Sequence, residues 1–66
     1  MYTENNVIKL FQKMEVELEK CIPDAEKFVE GNSSAGTRVR KYMQTVKNLA
    51  QEIRVVVQKQ KNSVAV

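Results

Sequence analysis

Residues 29–40 read Val-Glu-Gly-Asn-Ser-Ser-Ala-Gly-Thr-Arg-Val-Arg, and this stretch decides how the chain folds. A glycine that follows a helical segment commonly takes the left-handed conformation that ends a helix, which suits Gly31. The side-chain oxygens of Asn32, Ser33 and Ser34 can each bind the first free amides of a following helix. The stretch therefore predicts a tight turn over residues 31–33 between two antiparallel helices.

The segment before the turn has the apolar spacing of a helix that packs against other helices. Its apolar residues recur in alternating steps of four and three, and they are Val7, Phe11, Met14, Leu18, Cys21, Ala25 and Phe28. The pattern predicts a first helix from about Thr3 to Glu30, with Phe11 and Phe28 in the core. Pro23 lies within it and points outward, where it either kinks the helix or breaks it. The sequence leaves those two outcomes open.

The segment after the turn repeats the same spacing through Ala35, Val39, Tyr42, Val46, Leu49, Ile53 and Val56. It predicts a second helix over about residues 34–61, followed by a frayed tail over 62–66. A neighbouring row of Met43, Ala50 and Val57 widens the apolar face beyond what one partner helix covers.

A hairpin alone would leave that second row in water, and a second hairpin would cover it. We therefore predict an all-α antiparallel hairpin, a single domain over residues 1–66, that dimerises into a four-helix bundle. Whether the two hairpins run parallel or antiparallel stays open, as does assembly beyond a dimer. The predicted core and dimer interface consists of Met43, Val46, Leu49, Ala50, Ile53 and Val57.

Composition narrows the function classes. A chain of 66 residues buries a small share of its surface, which favours assembly with a partner chain. It contains no histidine and one cysteine, Cys21, so it cannot build an intrachain disulfide or a cysteine metal cluster. We predict that it is not an enzyme and that it takes no metal or cofactor. The absence of a long apolar run or a signal-peptide pattern predicts a cytoplasmic protein without a membrane partner.

Charge is divided between the two predicted helices: residues 1–30 sum to −3 and residues 31–66 to +6. Four of the basic residues recur every seven positions and form one line on a helix, namely Arg40, Lys47, Arg54 and Lys61. At about 1.5 Å per residue the line spans roughly 32 Å, close to one duplex turn of about 34 Å. The line predicts a polyanion-binding surface. It is also compatible with a face that meets the acidic segment of the same or another chain.

Two arginines lie where the helix dipole opposes positive charge. Arg38 and Arg40 fall in the first turns of the second helix, so their charge requires a compensating partner. Phosphate is one such partner, and Glu26 or Glu30 across the turn is another. We predict pairing within the hairpin for Arg38 and ligand contact for Arg40 and Lys41. The predicted nucleic-acid contacts are Arg38, Arg40, Lys41, Lys47, Arg54 and Lys61.

The segment from Gly31 to Lys41, with the later pair Ile53-Arg54, resembles the bacterial linker-histone-like nucleoid proteins, of which the best known are chlamydial. The resemblance covers about residues 30–55. It implies a DNA-binding, chromosome-compacting protein in which Gly31 and Asn32 form the turn and Arg38, Arg40 and Arg54 are family positions. The chlamydial type carries a long tail rich in lysine and alanine, whereas this sequence reads Asn-Ser-Val-Ala-Val over residues 62–66.

Two functions are compatible with these features. The first is a nucleoid-associated, histone-like homodimer that binds double-stranded DNA non-specifically through phosphate contacts. The second is a helical dimerisation or adaptor module that binds an acidic protein partner and no nucleic acid.

Overall fold

The chain folds into two long helices joined by a short turn. The computed structural model describes residues 4–64, with side chains over residues 7–61. Helix α1 spans Glu4–Val29 and helix α2 spans Ser33–Val64. The helices pack side by side along a hairpin whose backbone measures 54 × 15 × 14 Å. The predicted all-α hairpin is confirmed.

The turn ends one helix and caps the next. Gly31 takes a φ of 107°, which a residue with a side chain rarely adopts. Its amide donates to the Phe28 carbonyl at 2.9 Å, and the amide of Asn32 donates to the Lys27 carbonyl at 3.0 Å. The Asn32 side chain then caps α2, because its Oδ1 accepts a hydrogen bond from the Ala35 amide at 3.1 Å. Among the candidate caps, Asn32 therefore fills the role.

Pro23 lies inside α1, and the helix continues beyond it to Val29. The Pro23 side chain is exposed, so the carbonyl of Glu19 that loses its amide partner lies on the solvent side of the helix. At the other end of the chain α2 continues to Val64, three residues beyond the predicted end. No glycine or proline follows Lys61 to stop the helix. Thr3 and residues 65–66 lie outside the described residues.

The hydrophobic core runs along one stripe of each helix. Leu10, Leu49 and Ile53 are buried together, with Met14 and Val56 packed against them. Closer to the turn, Cys21 and Ala35 are also buried. Helix α2 thus buries its predicted inner line, in which the remaining members, Val39, Tyr42, Val46 and Val56, are half-buried.

Helix α1 is rotated relative to its predicted inner line. Leu10 and Asp24 are buried, whereas Phe11 and Leu18 remain 47% and 42% exposed. The placement of Phe11 and Phe28 in the core is therefore wrong for the single chain. The physical reason is that α1 has one helical neighbour, and the stripe that faces α2 is the one through Leu10 and Asp24. Phe11 and Leu18, one residue further round the helix, are left at the side. Phe28 lies four residues after Asp24 on the stripe itself, at the turn end of the hairpin, where about half of its surface stays exposed.

Phe28 is 54% exposed, but one part of its ring is held closely. A β-carbon on Gly36 would lie 2.6 Å from the Phe28 Cδ1 atom and 2.8 Å from its Cε1 atom. The aromatic ring thus lies against the backbone of α2 at Gly36, and a residue with a side chain there would require the Phe28 ring to move. This contact closes the turn end of the hairpin.

Candidate nucleic-acid interface

The hairpin has two broad sides, each formed by one surface of α1 and one surface of α2. An ion pair between the helices shows which two surfaces lie on the same side. Successive residues of a helix are turned by about 100°, so each helix has one flank on either side of its buried stripe. Arg38 Nε donates to Asp24 Oδ1 at 2.9 Å across the hairpin. The flanks that carry Asp24 and Arg38 therefore lie on the same side, and the two remaining flanks lie together on the opposite side.

The side opposite this ion pair, named here the apolar side, exposes hydrophobic side chains from both helices. Met43 and Val57 of α2 lie on it, with the half-buried Ala50 between them. Most of the large exposed hydrophobic side chains of the described residues lie here, namely Phe11, Leu18, Ile22, Val29, Met43 and Val57, and Ile8 lies at the edge of this side in line with Glu15. Val16 and Val55 lie on the outer surfaces of their helices.

Opposite charges border the apolar side on its two edges. On α1, Glu15 and Glu19 lie beside Leu18, and Glu26 and Glu30 lie in one patch with Ile22 and Val29. On α2, the basic line lies three or four residues from Met43, Ala50 and Val57, which makes these residues neighbours on the helix surface. Its members Arg40, Lys47, Arg54 and Lys61 are all exposed. Four carboxylates therefore balance four cations on this side.

The opposite side, named here the lysine face, carries the positive charge. Four lysines of α1 lie on this flank, and α2 adds an arginine and two lysines; the seven are Lys9, Lys13, Lys20, Lys27, Arg38, Lys41 and Lys59. All seven are exposed. Three carboxylates, Glu17, Asp24 and Glu52, share the face, which leaves a net charge of +4. That equals the whole net charge of residues 7–61.

Two of these three carboxylates, those of Glu17 and Asp24, are largely buried and form ion pairs. The Asp24 side chain is 12% exposed beneath Arg38, whose own side chain is 46% exposed. Glu17 lies 3.5 Å from the Lys20 ammonium. Because Nε makes the bond to Asp24, the other N–H groups of the Arg38 guanidinium stay available to a ligand. In both pairs the carboxylate is therefore the less exposed partner, and the cationic group of Lys20 or Arg38 lies outside it.

The predicted pairing of Arg38 within the hairpin is formed, but its partner differs from the predicted ones. Arg38 binds Asp24, whereas Glu26 and Glu30 lie on the other side of the hairpin with Ile22 and Val29. The rotation of α1 explains the difference, since it turns Asp24 towards α2. Asp24 is buried because this bond compensates its desolvation.

The structure divides the six predicted contact residues between the two sides. Arg38 and Lys41 lie on the lysine face, while Arg40, Lys47, Arg54 and Lys61 border the apolar side. The four lysines of α1 were not among the predicted contacts, because residues 1–30 carry a net negative charge. Their spacing of four, seven and seven residues is the signal that places them on one helix flank.

Other kinds of site find little support among the described residues. Over residues 7–61 no cluster of three histidine, cysteine, aspartate or glutamate side chains is arranged to hold a metal ion. Within residues 4–64 neither helix is long and apolar enough to cross a bilayer.

A family model described as histone H1-like protein Hc1 matches residues 8–63. The chain belongs to this family. Comparison of this Hc1-type chain with curated proteins and with solved structures gave no significant match. The resemblance predicted from residues 30–55 is thereby confirmed, and it extends over most of α1, the turn and nearly all of α2.

Proposed function

We propose that this Hc1-type chain is a small nucleoid-associated protein that binds duplex DNA non-specifically as a homodimer. Its membership in a histone H1-like family carries the proposal. The exposed cations supply the chemistry, because lysine and arginine neutralise backbone phosphates without reading base edges. The cations available for such contacts lie on two sides of the hairpin. The six predicted residues Arg38, Arg40, Lys41, Lys47, Arg54 and Lys61 are divided between the two sides, and the lysines of α1 lie with Arg38 and Lys41. A cytoplasmic, nucleoid-associated location follows from this function.

The exposed hydrophobic side chains of the apolar side support the homodimer. Single exposed hydrophobic residues are normal, but a row that continues along two helices indicates a surface that another protein covers. A second hairpin placed face to face would bury Phe11, Leu18 and Met43 at the centre of a four-helix bundle. In such a bundle each helix faces two neighbours, so its inner stripe turns towards the apolar side. The predicted line through Phe11, Leu18 and Ala25 points in that direction.

Salt should control DNA binding strongly. In a gel shift with random duplex, micromolar dimer should retain the DNA at about 50 mM salt and lose it progressively as salt rises. Each phosphate contact should add about −0.9 to the slope of log affinity against log salt. A dimer that retains no duplex at about 50 mM salt would exclude DNA binding. The exposed apolar side with its acidic border would then favour the helical protein-interaction module.

Folding should depend on protein concentration. Sedimentation should show a dimer, and the thermal midpoint followed by circular dichroism should rise with concentration, because association stabilises the folded chain by mass action. A monomer whose midpoint is independent of concentration would contradict the four-helix bundle.

A further inference from the structure

The charged borders of the apolar side select one way to pair two copies. Two hairpins placed face to face can be related by a twofold axis that runs either along the helices or across them. The first axis places α1 of each copy over α2 of the other. The acidic border of α1, formed by Glu15, Glu19, Glu26 and Glu30, then faces the basic line of the other copy. The second places α1 over α1 and brings like charges together. Charge complementarity therefore favours the twofold axis along the helices.

The register of the hairpin supports the same pairing. Asp24 and Arg38 are bonded and so lie at one level. Glu15 lies nine residues before Asp24 on α1, and Lys47 lies nine residues after Arg38 on α2, which places them at one level too. A twofold axis along the helices preserves levels, so Glu15 of one copy faces Lys47 of the other. The basic line then forms the interhelical charge pairs that flank the core of a helical bundle.

This pairing leaves the lysine faces uncovered, one on each copy, and directs them away from each other. A duplex laid on the apolar side would meet exposed hydrophobic side chains and the carboxylates of Glu15, Glu19 and Glu26. A duplex laid on the lysine face meets seven cations and one exposed carboxylate, that of Glu52, while the carboxylates of Glu17 and Asp24 are paired and less exposed. Lys9 and Lys27 are about 27 Å apart along α1, enough to follow most of one duplex turn.

We propose that the lysine face contacts the DNA phosphates, and that the basic line of Arg40, Lys47, Arg54 and Lys61 holds the two copies together. Each homodimer then carries two DNA-binding surfaces on opposite sides and joins two duplexes. This inference rests on the proposed function. Of the six predicted contacts, it assigns Arg38 and Lys41 to DNA and the other four to the dimer.

Two variants that remove equal charge test the assignment. The first replaces Lys9, Lys13, Lys20 and Lys27 by glutamine, and the second replaces Arg40, Lys47, Arg54 and Lys61 by glutamine. Glutamine is a good helix former, so both variants should keep their helical signal in circular dichroism. DNA affinity is measured by fluorescence anisotropy over a range of salt concentrations, at protein concentrations where sedimentation shows each variant to be dimeric.

The first variant should remain as dimeric as the parent, while the salt slope of DNA binding falls by up to about 3.6 for each chain in contact with the duplex. The second variant should dissociate at a higher protein concentration than the parent, and its salt slope should stay close to the parental value. A slope that falls more in the second variant, or equally in both, would overturn the inference. If the parent itself fails to bind at about 50 mM salt, the proposed function fails instead.

Joining of two duplexes provides an independent measurement. Beads that carry one duplex should capture a second, fluorescent duplex when the parent dimer is added, and the variant without the four lysines of α1 should lose most of this capture. The variant without the basic line should keep the capture at concentrations where it is dimeric. A parent dimer that binds the beads fully and captures no second duplex would contradict the arrangement of the two faces.

Discussion

Replacing Leu49 by aspartate should unfold the chain. Leu49 is 8% exposed and packs with Leu10 and Ile53 in the main core cluster. The substitution removes a buried leucine side chain and places a carboxylate where no cation lies within the cluster, which together cost about 4 kcal/mol or more. A domain of this size has a total stability of similar magnitude. Far-ultraviolet circular dichroism should therefore show the loss of most helical signal.

Gln51→Asp provides the matched control, because it introduces the same side chain two residues along the same helix. Gln51 is exposed on the outer surface of α2, where a carboxylate stays hydrated. Its effect should stay within about 0.5 kcal/mol, apart from the small helix propensity of aspartate. Similar losses of helical signal in both variants would mean that the buried stripe of α2 does not run through Leu49.

The turn and α2 could be predicted closely from the sequence. Gly31 and Asn32 fill roles that few residue types can fill, a left-handed conformation and a side-chain cap. The apolar residues of α2 lie on one face, with Arg40, Lys47 and Arg54 beyond its edge, so there was one direction in which to pack them. Local chemistry and the apolar pattern agree along this part of the chain.

The rotation of α1 could not be predicted, because apolar residues occupy two neighbouring stripes of that helix. One stripe runs through Leu10, Met14 and Cys21 and faces α2; the other runs through Phe11 and Leu18 and lies at the side. Periodicity alone does not rank two stripes that differ by one residue. The deciding contribution is a long-range one, since burial of Asp24 depends on Arg38, fourteen residues further along the chain.

The lysine face could not be predicted for a related reason. Its cations come from both helices. The net positive charge of the face arises only because the hairpin places the flank of Lys13 and Lys20 beside the flank of Arg38. Counting charge by segment makes residues 1–30 acidic, although the carboxylates and the lysines of α1 point to different sides. The basic line could be predicted because its members recur at a fixed spacing within one helix.

Leu18→Glu should dissociate the dimer while the hairpin stays helical. The Leu18 side chain is 42% exposed in the single chain, so a glutamate there can reach water as long as the chain is alone. In the bundle it lies between the two hairpins, level with the hydrophobic row of α2. Burial of a poorly compensated carboxylate costs about 2 kcal/mol. Each dimer contains the substitution twice, so the total is about 4 kcal/mol, a weakening of the dimer by about a thousandfold.

Val16→Glu separates this interface from a general effect of charge on α1. Val16 is 47% exposed, slightly more than Leu18, but it lies across the acidic border of Glu15 and Glu19 from Leu18, turned by about 160° from it around the helix. Both substitutions add one negative charge to α1 and replace a similarly exposed hydrophobic residue. Sedimentation should show a dimer for Val16→Glu and a monomer for Leu18→Glu at concentrations where the parent is fully dimeric. If both variants stay dimeric, the two hairpins do not meet through Leu18; if both dissociate equally, the added charge on α1 acts without regard to the side on which it lies.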